Sequence, residues 1–256
     1  AIPKSSWSMF VNPAGIAEQK TLSLVASSES LFGQDYFSHS LFGVQFRVPR
    51  AGSFGLSIED FSVDYSGNTL SRETAIGIHQ GIMLRSDRNS IISFGYGIKS
   101  YTVDYGSSAG VSGDGSDGIE LGSQSSWGVD IGLLASLAER VRFGARAFNI
   151  NSPTLGDANS AVRLPQRAQI GIAFSPYDLV WTTAALTKSS GHPTHFHGGM
   201  SYNIVDNVFL RAGVMTNPNR FATGFEFIVK KIRINYGFMT HPVLPLSHQF
   251  SIEVNR

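Results

Sequence analysis

The sequence predicts an all-β fold, a transmembrane antiparallel β-barrel of about fourteen strands. The clearest observation is alternation. In residues 231–240, Ile232, Ile234, Tyr236 and Phe238 fall on one face of an extended chain, while Arg233, Asn235, Gly237 and Met239 fall on the other. The same pattern recurs from Leu22 to Val254 with tight turns between, so one face of the sheet wants hydrocarbon and the other tolerates water. The second observation is the absence of a membrane-length apolar run. The most apolar stretch, near residues 131–138, falls far below the roughly 20 residues of a spanning helix, so a membrane protein made from this chain must close its strands into a barrel.

Taken in order, the predicted strands are 21–29, 37–48, 53–65, 73–85, 90–104, 125–137, 141–150, 162–175, 179–188, 194–204, 207–216, 220–229, 231–240 and 246–255. The even number suits a single-chain barrel of the outer membrane of a Gram-negative bacterium, with both termini periplasmic. On that assignment the periplasmic turns are short, at 49–52, 138–140, 176–178, 205–207 and 230–231. The two longest connections, 105–124 and 151–161, fall outside. Phe42, Val44 and Phe46 are assigned to lipid, as are Ile76, Ile78 and Ile82; Ile92, Phe94 and Tyr96; Trp127, Val129 and Ile131; and Ile170, Ile172 and Phe174. Their alternates point inward: Gln45, Arg47, Gly77, His79, Gly95, Gly97, Lys99, Asp130, Arg142, Arg146, Arg167 and Gln169. A soluble β-sandwich would also alternate, but its outer face would be charged, and here the outer set is large, apolar and aromatic.

Composition narrows the function. The chain has 256 residues, 27 glycines, 18 phenylalanines, 8 tyrosines, no cysteine and a formal net charge of +1, so no disulfide framework and no nucleic-acid partner are expected. Ala1 leads directly into mature-looking sequence, and the chain is read as processed or trimmed and not as cytoplasmic. Nucleophile elbows, phosphate-binding glycine loops and metalloprotease motifs are absent from the sequence, so the expectation is a non-enzymatic protein without a cofactor.

Several residues stand out as candidates. Arg211, Glu226 and Arg233 point inward on three successive strands, with Glu253 on the last, which reads as a charge ladder closing a narrow barrel or as a selectivity lining. His195 and His197 share one face of a strand, among histidines that also include His39, His192, His241 and His248 at the outer third. A polar rim is favoured over metal ligation, because no carboxylate or cysteine accompanies them at ligand spacing. Gly113 to Gly118 has the look of a calcium loop without its spaced acidic ligands and reads as a surface loop. Glu59 and Asp60 interrupt the apolar face of the third strand between Ile58 and Val63. A charge facing lipid is costly, so a kink or lateral opening is expected there.

Asn12-Pro13-Ala14-Gly15, just before the first strand, resembles the N-terminal motif of the FadL-like superfamily of outer-membrane barrels, including its PorV/PorQ-type relatives. Leu164-Pro165 into 169–174, Asn217-Pro218 followed by Arg220-Phe221, and His241-Pro242-Val243-Leu244 leading to 247–252 are similar to the PorV/PorQ-type pattern in order and spacing. The resemblance implies a fourteen-stranded barrel whose N-terminal segment folds into the lumen. Residues 1–20 are therefore expected to be a hatch and 21–256 the barrel. The many inward glycines leave room for Trp7, Phe10, Asn12, Pro13, Ala14 and Gly15 to plug it. Two functions follow from the resemblance. The hatch and connections are short, which favours an accessory or scaffold subunit of a larger outer-membrane secretion or assembly complex, with outer-membrane lipid and other outer-membrane or periplasmic proteins as partners. The alternative is a transporter that releases a hydrophobic small molecule sideways into the membrane.

Overall fold

The computed structural model describes residues 5–65, 67–113, 116–156 and 161–256. Residues 1–4 of the expected hatch, and Asp114 and Gly115 of the calcium-like loop, lie outside the described residues. The chain begins with a single helical turn, α1 (Ser8–Val11), and a 3-10 segment, Pro13–Glu18. Strands follow: β1 (Ser23–Ser30), β2 (Phe37–Val48), β3 (Gly52–Tyr65), β4 (Asn68–Ser86), β5 (Ser90–Asp104), β6 (Ser123–Leu137) and β7 (Val141–Phe148). After the two-residue strands β8 (Thr154–Leu155) and β9 (Val162–Arg163) come β10 (Arg167–Tyr177), β11 (Val180–Ser189), β12 (His195–Val205) and β13 (Val208–Met215). The last three are β14 (Arg220–Val229), β15 (Ile232–Met239) and β16 (Ser247–Asn255).

Strands β1–β7 and β10–β16 form one closed antiparallel barrel of fourteen, each paired to its chain neighbour, with β1 closing on β16 from Ser23↔Asn255 to Ser30↔His248. Closure leaves the sheet without free edge strands, which the bilayer core demands because it offers no water to an unpaired peptide group. The start of β1, the end of β16 and most of the tight turns lie at one end of the barrel, called here the terminal end. The longer connections lie at the far end. In the β6–β7 turn Ala138 and Glu139 both have positive φ (48° and 56°), matching the twist of a two-residue hairpin.

Two predicted strand limits are corrected. The segment 162–175 is not one strand: Val162–Arg163 pairs with Thr154–Leu155 in a separate hairpin, and the barrel strand starts at Arg167, after Pro165, which has no N–H for a ladder. The segment 141–150 ends at Phe148. Asn149 turns to a positive φ of 54° and donates its N–H to Asp130 Oδ1 at 3.0 Å.

That early stop leaves β6 taller than β7. Residues 123–130 of β6 have no partner on β7, and the connection after β7 serves this edge instead. Ile150 N–H donates to Val129 O (3.0 Å), Val129 N–H donates to Asn151 Oδ1 (2.9 Å), and Asn151 Nδ2 donates to Trp127 O (2.9 Å). One asparagine side chain thus continues the ladder where the strand has ended.

The assigned faces are as expected. Ile78, Ile170, Trp127 and Phe42 are exposed on the outside, whereas Gln45, His79, Lys99 and Asp130 are buried inside. Ile78 is 61% exposed to what must be lipid. Arginine at Ile78 should lower the stability of the folded barrel by about 2–4 kcal/mol, and at Thr74, higher on the same outer face, by about 0–1 kcal/mol. Denaturant titration in lipid vesicles checks this; equal losses at the two sites would mean the apolar band lies elsewhere.

Candidate functional site

The residues Asn12-Pro13-Ala14-Gly15 lie inside the barrel, and the local chemistry explains their shape. Asn12 Oδ1 accepts from Ala14 N–H at 3.1 Å and caps the 3-10 segment, with Pro13 at its first position, where a missing N–H does no harm. The amide of the same side chain donates to two wall carbonyls, Leu133 O and Ala145 O, each at 3.2 Å. Asn12, Ala14 and Ile16 are buried.

The wall beneath this segment is a single cross-strand row. Ser53 pairs with Gly81, Gly81 with Gly95, Gly95 with Gly132, and Gly132 with Arg146. The segment follows the row residue by residue. Ser53 Oγ donates to Gln19 O at 3.1 Å, Ala17 lies on Gly81, Pro13 and Ala14 lie on Gly95, Asn12 lies on Gly132, and the Arg146 guanidinium donates to Val11 O. A Cβ at Gly81, Gly95 or Gly132 would overlap the segment's backbone or the Asn12 side chain. Gln45 Nε2 adds a bond to Ile16 O at 3.3 Å, and Met9 fills the space over Gly43 and Gly55. The Trp7 and Phe10 rings lie 5.9 Å apart, tilted by 38°, and both are only partly buried.

The inner wall over this row is otherwise polar, with ion-paired groups beside buried His79 Nδ1, Gln45 Oε1 and Ser93 Oγ that have no hydrogen-bond partner. Lys99 meets Asp130 at 3.2 Å with both side chains nearly inaccessible, and Ser57 Oγ meets His79 Nε2 at 2.8 Å. Lys99 and Arg146 both lie over the Phe148 ring, at 5.0 and 4.6 Å. Across the lumen the wall is open. A cavity of about 270 Å³ runs along β13–β16, bordered by Arg211, Gly213, Gly224, Asn235, Gly237 and Gln249. Buried Glu226, Ser251 and Glu253 lie toward its terminal side. The segment is therefore seated to one side of the lumen.

Of the charge ladder, Arg211 and Glu226 form an ion pair at 2.6 Å, and Arg233 and Glu253 sit opposite each other in register. His195 and His197 share a face, with rings 6.5 Å apart. His195 Nδ1 bonds Thr216 O and His197 Nε2 bonds Thr187 Oγ1, each at 3.1 Å. Among the described residues no group of three or more His, Cys, Asp or Glu is placed to hold a metal.

Glu59 and Asp60 do not interrupt the wall. The ladder runs through them on both sides, Leu41↔Glu59↔Ala75 and Ser40↔Asp60↔Thr74, and the one irregularity of β3 falls at Val63/Asp64. Glu59 points inward to His39 Nε2 at 3.5 Å, whose other nitrogen meets Glu29 at 2.9 Å. Asp60 points outward into a bidentate pair with Arg72 (2.8 and 3.2 Å) and a bond from Thr74 (3.0 Å). The strand extends past the apolar band, and Asp60 sits on its polar rim.

The wall is thin elsewhere. On the outside of β6–β12 lies an apolar groove of about 710 Å³ rimmed by Phe143, Ile170, Leu186 and Phe196. On the inside, a small niche is bounded by Val11, Asn12 and Arg146. Gly144, Gly171 and Ala185 border both, so at this window the two spaces are divided by little more than backbone. The three are consecutive in one row, Gly144↔Gly171↔Ala185. Sequence alone assigns Gly144 and Gly171 inward but gives no sign that they line up. Continuing the alternation from Gly77 and His79 reaches Gly81, whereas Ser53, at the edge of its strand, carries no such signal.

Solved structures of similar shape are outer-membrane barrels. The Pseudomonas putida toluene transporter TodX matches with a TM-score of 0.65 at 11% identity, covering 99% of this chain and 95% of that one. The fold is that of the FadL-type barrels. A Pseudomonas aeruginosa FadL homologue matches at 0.58 and 12% identity (99% and 94% covered), and the Acinetobacter baumannii outer membrane protein Omp33 at 0.54 and 6% (93% and 98%). No family model and no curated protein matches the chain. At these identities the likeness concerns the fold.

Because the segment needs the glycine row, Gly95→Leu should leave a folded, heat-modifiable barrel while displacing residues 11–19 from the wall. Limited proteolysis should then cut near the N-terminus in the variant and not in the parent. Equal protection in both would mean that the row does not hold the segment.

Proposed function

We propose that the chain is an outer-membrane conduit for a hydrophobic small molecule, which enters the lumen at the far end and leaves sideways through the window at Gly144, Gly171 and Ala185. The observation that carries this is the shared lining: an apolar groove outside and a niche inside, divided by a row without bulky side chains. A hydrophobic solute in this polar lumen gains roughly 25 cal/mol for each Å² of apolar surface it moves into hydrocarbon, so a lateral exit is downhill whereas an axial one into water is not. Residues 1–20 act as a plug, with Val11 and Asn12 covering the lumen side of the window. The protein is non-enzymatic in this reading, with both termini periplasmic, which puts the longer connections at the cell surface. Structures of similar fold include a toluene transporter and a FadL homologue, which supports the same class of cargo.

The accessory role within a larger complex rests on the short connections and on the PorV/PorQ-type motifs. The window and groove give this wall a use that a scaffold does not require, and transport is favoured for that reason.

The chain has no cysteine, so a staple can be placed cleanly. Oxidised Gly144→Cys/Gly171→Cys vesicles with a lipopolysaccharide outer leaflet, which slows unaided entry of toluene, should admit it several-fold more slowly than the same vesicles after reduction, with the barrel folded in both. Equal rates would remove the window as the path. Parent vesicles no faster than protein-free ones would remove transport itself.

A further inference from the structure

Beyond Phe174, at the terminal end of the same strands, lies a polar niche. Arg140, in the β6–β7 turn, meets Asp178, in the β10–β11 turn, at 2.9 Å. It also donates to Ser175 O and Pro176 O at 3.5 and 3.4 Å. The niche, of about 570 Å³, is flanked by Tyr177 and Tyr202, both exposed. Above it on the outer face the apolar rows are Phe143↔Ile172↔Ala184 and Ala145↔Ile170↔Leu186↔Phe196. Ala145 and Ala184 leave the trough between the larger side chains.

The spacing suits a lipid. Six residues separate Ile172 from Asp178, about 20 Å of strand at ~3.3 Å per residue, or about 15 Å along the membrane normal for a strand tilted by about 40°. That is about half of the roughly 30 Å hydrocarbon core, the depth reached by one leaflet's acyl chains.

We propose that this surface binds one glycerophospholipid with an ethanolamine head group, its acyl chain in the groove and its phosphate and ammonium on Arg140 and Asp178. The choice of head group follows from charge complementarity. A guanidinium has five N–H donors, more than its protein acceptors here require, and can add a phosphate oxygen. Asp178 Oδ1 faces Arg140, and Oδ2 of this exposed side chain is available to an ammonium N–H. A choline group has no N–H to donate. A phosphoglycerol head brings an anion next to Asp178 and no cation to offset it. The lipid site does not rest on the transport proposal: a lipid chain and an outgoing hydrocarbon would exchange in the groove, but neither needs the other.

Native mass spectrometry of the intact barrel, released from nanodiscs of phosphatidylethanolamine, phosphatidylcholine and phosphatidylglycerol with identical chains, tests the assignment. The parent should retain a single phosphatidylethanolamine several-fold more often than either other lipid. Asp178→Asn, at an exposed turn, should erase the preference over phosphatidylglycerol. Ala184→Trp, which fills the trough, should lose the retained lipid altogether while remaining heat-modifiable. Equal retention of all three lipids by the parent, or an unchanged preference in Asp178→Asn, would overturn the head-group site. Unchanged retention in Ala184→Trp would overturn the groove as the seat of the chain.

Discussion

A peptide group in hydrocarbon has no solvent to bond with, and an unpaired one costs several kcal/mol. Closure of β1 onto β16 answers this for the ends of the sheet, and the strict antiparallel pairing of neighbours answers it for the rest. The same demand appears in miniature beside β7, where the strand stops early and Asn151 supplies a donor and an acceptor to the exposed edge of β6. Once every backbone group is bonded within the wall, side chains are left to divide by face. The outer set can be wholly apolar, and the inner set can carry serines, amides and ion pairs.

The division by face was legible because it is a local signal of period two, renewed at each turn. Ile232, Ile234, Tyr236 and Phe238 are on the outside, and thirteen of the predicted strands correspond to barrel strands with ends shifted by a few residues at most, apart from the earlier start of β4. Alternation fixes a residue's face and is silent about its height. Glu59-Asp60 shows the consequence. A charge on the outer face reads as a break in the apolar band, yet Asp60 lies where β3 has already left that band, paired with Arg72. Register is hidden for the same reason. Each of Gly81, Gly95 and Gly132 alternates inward on its own strand, but only the pairing of three strands makes them a row, and that pairing is set by turns and a register shift in β4.

Small residues therefore carry two unlike tasks in one wall. Over Gly81, Gly95 and Gly132 the missing side chains let a backbone lie flat against the sheet, in contact. On the next two barrel strands, at Gly144 and Gly171, they leave the wall thin between the lumen and the outer groove. Composition cannot separate these uses. Arg146 stands between them, reaching back to Val11, so the end of the segment over the window is fastened by a single side chain and not by a glycine contact.

The lumen segment runs along its row at right angles to the strands, and this geometry governs how it responds to force. Its attachments lie one after another: Arg146 to Val11, Asn12 to the two wall carbonyls, Pro13 and Ala14 on Gly95, Ala17 on Gly81, and Gln19 to Ser53. A pull on the N-terminal end toward the terminal opening first loads Met9 over Gly43 and Gly55 and then these contacts one before the next, so they yield in sequence, like tape lifted from its edge. No barrel hydrogen bond lies in that line of load. The segment can be drawn away from the Val11 end by a weak, sustained tension while the wall it leaves stays intact.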